Sequence, residues 1–116
     1  MTPEEFVSCI RNEVLDGNLR TYVDLLNNTP AEGAADEYWQ ELLQAYSSMN
    51  ERQRSALRLM ARQVMIDTIS NLFGVLDGTS PLEDHRESFV LTYGAANEKL
   101  NGDLQDYFLA AEEEPL

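Results

Sequence analysis

One cysteine, one histidine and eight basic residues are scarce raw material for chemistry in a chain of 116 residues. The lone cysteine, Cys9, forms no disulfide within the chain and fits a reducing compartment. The lone histidine, His85, rules out a two-histidine metal site, and there is no CxxC, HExxH, phosphate-binding glycine loop or serine-nucleophile motif. Eight bases against 21 acids give a net charge of −13. Such a chain repels phosphate, so no nucleic acid is expected as a partner, and anionic membrane surfaces are disfavoured for the same reason. No run of 18 apolar residues exists, so no transmembrane helix is expected. The start, Met-Thr-Pro-Glu-Glu, lacks the basic residues and apolar stretch of a secretory leader, and a cytoplasmic location is expected. No cofactor is implied.

What the chain does have is 43% apolar residues, enough for one self-sufficient core, and a single domain is expected over residues 1–116. Thr2-Pro3-Glu4-Glu5 is a helix start: a cap, a proline suited to the first turn and a glutamate closing a capping box. Phe6, Val7, Ile10, Val14 and Leu15 follow at helical spacing, with Gly17 expected to end the helix. A second short helix carries Leu19, Tyr22, Val23 and Leu26 and is stopped by Pro30. A third, over 35–48, places Ala35, Tyr38, Trp39, Leu42, Leu43 and Tyr46 on one stripe, where the aromatics read as core or boundary residues.

Residues 50–78 predict one long helix, capped by Asn50 with Gln53 and ended by Gly78. Two apolar lines run along it. Leu57, Met60, Ala61, Val64, Thr68, Leu72 and Val75 form one coherent core face. Ile66, Ile69, Phe73 and Leu76 form a second, which continues the flank of Arg54, Arg58 and Arg62. Something has to cover that second line, either this chain or another molecule. Gly74 permits close packing or a bend.

After Gly78-Thr79-Ser80-Pro81, residues 88–94 predict a short strand with a partner around 97–100. Asn101-Gly102-Asp103 resembles a cap for a final helix with Leu104, Tyr107, Phe108 and Ala111, and 112–116 read as a frayed tail. The fold class is therefore mainly α: a bundle of about four helices with one long central helix (51–77), a small C-terminal strand or hairpin and a short final helix.

The candidate chemistry is thin. His85 reads as a loop histidine, Cys9 as a half-buried small hydrophobe, and the carboxylate pairs fall opposite the apolar stripes. Asp67 is the exception, an acid beside the core face in the middle of the long helix. No catalytic or metal-binding residue is assigned. The candidate interface is Arg54, Arg58, Arg62, Ile66, Ile69, Phe73 and Leu76. The arginines pair either with internal acids, such as Glu4, Glu13, Asp24 or the acidic C-terminus, or with a partner. Size, charge and missing motifs favour a non-enzymatic protein acting by protein–protein contact, in its most concrete form an immunity- or antitoxin-type inhibitor of a basic effector. The alternatives are a homodimer or larger homo-oligomer with structural or adaptor function, and a small enzyme or ligand binder using Asp67, Arg62 and His85 between helices.

Overall fold

The computed structural model describes residues 1–33 and 36–113. It is mainly helical, with α1 (Pro3–Cys9), α2 (Gly17–Asn28), α3 (Glu37–Ser47), α4 (Glu51–Asp77) and α5 (Leu104–Glu113), plus a hairpin of β1 (Thr92–Tyr93) and β2 (Glu98–Lys99). No helix among the described residues is long and apolar enough to cross a membrane.

Local chemistry sets both well-defined helix starts. Thr2 and Glu5 exchange side-chain and backbone bonds in a capping box ahead of α1, and Asn50 and Gln53 do the same ahead of α4. Asp36 caps α3 by accepting from the Tyr38 amide. The expected first residue of that helix, Ala35, lies outside the described residues. Gly78 ends α4 in the left-handed conformation, φ +85°, which glycine adopts without steric cost.

Gly17 does not end the first helix. It sits at φ −63° and ψ −47°, and a π-helical stretch (Ile10–Asp16) joins α1 to α2 without a break. Glycine permits a left-handed end but does not impose one; helical residues on both sides carry it through. The β-rich run from Ser88 pairs only at Thr92 with Lys99 and Tyr93 with Glu98, extended by the Leu100 amide donating to the Leu91 carbonyl.

The core gathers Val7, Leu15, Ile66, Phe73, Leu104 and Phe108, where α1, the π-helical stretch, the second half of α4 and α5 meet. Phe73 lies edge-on to Phe108, with centroids 5.7 Å apart, and tilted toward Phe6 at 6.2 Å. Gly74 is buried, and a Cβ there would stand 2.9 Å from Ser80 Oγ and 3.1 Å from the Gln105 amide. The expected close packing at Gly74 is thus that of α5 on α4.

A polar joint locks the far end of α4 to α5. Asp77 accepts from the Gly102, Leu104 and Gln105 amides at 2.7, 3.2 and 2.8 Å, so the cap of α5 comes from α4 and not from Asn101–Asp103 alone. Asn101 is buried and fully used, accepting from the Leu91 amide and donating to the Leu76 and Phe89 carbonyls. Gln105 donates to the Ser70 carbonyl at 3.0 Å.

Candidate functional site

The two apolar lines of α4 exchange the roles the sequence suggested for them. Ile66 and Phe73 are buried, and Ile69 and Leu76 pack against the same core, so the chain itself covers the second line with α1 and α5. The first line, read as the core face, is largely in solvent: Met60 is 61% exposed, Val64 56% and Leu72 58%, with Thr68 also exposed and Leu57, Ala61 and Val75 half-buried. Leu59, beside it, is 67% exposed. Both lines satisfy helical periodicity equally well. Their environment decides between them, because the arginines beside the second line need partners that only the chain's packed side supplies.

Those arginines are fasteners within the fold. Arg54 Nε donates to the Tyr46 carbonyl at 3.0 Å and its Nη2 to the Ser47 carbonyl at 3.2 Å, adding side-chain donors to carbonyls at the C-terminal end of α3. Its guanidinium also lies 4.7 Å from the Tyr46 ring centroid. One turn later, Arg58 donates to the Tyr46 hydroxyl at 2.9 Å and to Glu51 at 2.7 Å. These hydrogen bonds raise the Arg58 pKa above its ordinary value, Glu51 contributing most and Tyr46 next. A turn further on, Arg62 grips Glu112 through both terminal nitrogens, at 3.0 and 3.1 Å.

Glu112 lies within α5. Its carboxylate also accepts from Arg11, whose other terminal nitrogen donates to the Phe108 carbonyl and whose guanidinium lies 4.4 Å from the Phe108 ring centroid. Of the internal acids weighed from sequence, it is therefore the acidic C-terminal segment that Arg62 meets. Residues 114–116 of the expected tail lie outside the described residues.

The three residues considered for a pocket take separate surroundings. Asp67 is exposed and accepts from Gln63 at 2.9 Å, Arg62 is bound to Glu112, and His85 lines an open cleft of about 740 Å³ with Val75, Pro81 and Phe89. A second open cleft of about 770 Å³ lies between α2 and α3, bordered by Asn27, Gln40, Leu43, Tyr46 and Arg54. Its polar edge is already engaged, since the Tyr46 hydroxyl donates to Asn27 at 2.8 Å. Cys9 is exposed instead of half-buried. Among the described residues no three His, Cys, Asp or Glu side chains stand together as a metal site.

What remains without a use inside the fold is the outer face of α4. Between Gln53 and Leu72 its exposed residues carry a single charge, Asp67, on a chain of net charge −13. Isolated exposed apolar residues are ordinary, but four large ones within four turns of one helix form a continuous strip. The signal for it was present in the sequence as a coherent amphipathic stripe; what misled was the assumption that the stripe faces inward. Compared with protein-family models, with curated proteins and with solved structures, the chain matches none.

Proposed function

We propose that this protein works by binding protein through the exposed apolar line of α4. The observation that supports it is an excess of surface. The chain exposes 8402 Å² at 13.2 kDa, where a compact monomer of that mass exposes about 6,400 Å². Its radius of gyration is 17.9 Å, against about 13 Å for a compact chain of this length. A strip that is apolar, nearly uncharged and borne on a rigid helix is suited to such a contact.

The test is a photoreactive phenylalanine analogue placed at Val64 in cells producing the chain, with a second at exposed Asp24 of α2 as control. Covalent protein adducts at Val64 and not at Asp24 support the contact face. No adduct at Val64 overturns it.

A second reading draws on the arginines. Arg11, Arg54, Arg58 and Arg62, half of the eight bases, are engaged inside the fold, which leaves the solvent-facing surface still more acidic than the composition implies. That favours a basic partner, such as an effector held in check by an immunity-type inhibitor, recognised by the acidic surface instead of α4. Its mark is an association rate that falls steeply with added salt.

A further inference from the structure

We infer that an arginine side chain of a partner protein docks on the outer side of α3, with its guanidinium on the ring of Tyr38 and its donors on Glu41. This site rests on the basic-partner reading and gives it a place on the surface, apart from the apolar line of α4. Tyr38 is 67% exposed, although its spacing suggested a core or boundary aromatic. Trp39 steadies it, the two rings meeting edge to face with centroids 6.0 Å apart. Trp39 in turn stacks on Tyr22 across from α2, at 5.8 Å and 24°. A ring held this way loses little side-chain freedom when a partner lands on it.

The fold shows what such a ring takes. On α5, Phe108 and Glu112 stand one turn apart and together hold Arg11, whose guanidinium lies 4.4 Å from the ring centroid while a terminal nitrogen donates to the carboxylate. Tyr46 receives Arg54 at 4.7 Å in a second pairing of the kind. Tyr38 and Glu41 repeat the ring and the carboxylate on α3, three residues apart instead of four, and both are exposed. Arg11, Arg54, Arg58 and Arg62 are engaged elsewhere. Arg20, the one base between Asp16 and Ser47, makes no ion pair among the described residues.

Charge selects the same occupant. Six acids stand against Arg20 between Asp16 and Ser47. Asp24, Glu32, Glu37 and Glu41 are exposed, and none of them enters an ion pair among the described residues. Glu37 and Glu41, four residues apart, are like charges on neighbouring turns, a repulsion that a cation beside Tyr38 relieves. A guanidinium is planar and weakly hydrated, so it stacks on the ring and still donates from its rim. An ammonium is a strongly hydrated point charge and does one or the other.

Trp39 is the chain's only tryptophan and touches Tyr38, so its fluorescence reports on the site. The full chain is titrated at low salt with a blocked hexa-arginine peptide and with its hexa-lysine counterpart. Calorimetry gives the affinities independently of the ring that is changed. Hexa-arginine is expected to shift the Trp39 emission and to bind about tenfold more tightly than hexa-lysine. Tyr38→Ala is expected to weaken it about tenfold, with the helical signal retained, and Tyr38→Phe to bind as the unmodified chain does. Glu41→Gln is expected to weaken it about threefold and to reduce its salt dependence, whereas Glu87→Gln, beside Val75 at the other end of α4, leaves it unchanged. Hexa-arginine binding that survives Tyr38→Ala, or that matches hexa-lysine, overturns the site and leaves the basic-partner reading standing. Equal losses from Glu41→Gln and Glu87→Gln do the same. Binding of neither peptide overturns both.

Discussion

Arg54 holds Tyr46 twice, with its guanidinium 4.7 Å from the ring centroid and its Nε donating to the same residue's carbonyl at 3.0 Å. The pair fastens the end of α3 to the start of α4 across the bend at Ser48–Met49. A lysine has no planar fork to span the Tyr46 and Ser47 carbonyls while stacking on the Tyr46 ring. Arg54→Lys is expected to lower stability by about 1 kcal/mol in urea unfolding. An unchanged midpoint would mean the contact contributes nothing net.

Glu112 binds Arg11 and Arg62 together, so its loss leaves two partly buried cations facing one another. Glu112→Gln is expected to cost about 2 kcal/mol. A double-mutant cycle with Arg62→Ala measures the share owed to that pair. A coupling indistinguishable from zero would reduce the triad to an idle surface bridge.

Asp77 stands in for a local cap. Asp77→Ala is expected to cost about 1 to 2 kcal/mol and to speed amide exchange at Gly102, Leu104 and Gln105, with exchange in the first turns of α1 and α3 unaffected. Uniform acceleration across all helices would instead indicate a global loss.

Tyr107 titrates above the ordinary tyrosine range because its hydroxyl hydrogen-bonds to Glu4, whose negative charge adds to the effect. Its neutral form is favoured in the folded state, so the folded protein retains that proton after the unfolded chain has begun to lose it near pH 10. Stability from this contact is complete below pH 10 and declines as pH rises through the folded value. Tyr107→Phe is expected to flatten that decline, and tyrosinate absorbance compared between the two proteins assigns the late-titrating group.

The two faces of α4 separate cleanly by charge insertion. In dilute solution Val64→Glu is expected to change stability by no more than about 0.5 kcal/mol, whereas Ile66→Glu, which buries an unpaired carboxylate, costs about 4 kcal/mol or more. The reverse order in thermal melts would restore the Val64 line as the core.

Local signals are legible in the sequence because their partners lie within seven residues: the capping boxes at Thr2 and Asn50, the glycine stop at Gly78 and the hairpin near Gly94 are all where their residues place them. Gly17 misled because a glycine inside a helix and one after it look alike, and the π-helical turn beside it departs from the 3.6-residue period on which the pattern rests. The orientation of α4 was illegible for a different reason. Its two lines are equally apolar, and the choice is made by Glu112, fifty residues away. Asp77 was hidden likewise, as an apparent helix end that serves another helix.

The arginine fasteners differ in how much chain each must gather. Arg54 and Arg58 reach partners 7 to 12 residues away, whereas the Arg11 bond to Glu112 spans 101. Closing the longer loop costs about 2 kcal/mol more in chain entropy than closing one of eight residues. The Tyr46 hub is therefore cheap to assemble early, and the meeting of α1 with α5 is a late event on the route to the native state. Substitutions at Arg54 should slow folding, and those at Glu112 should chiefly hasten unfolding.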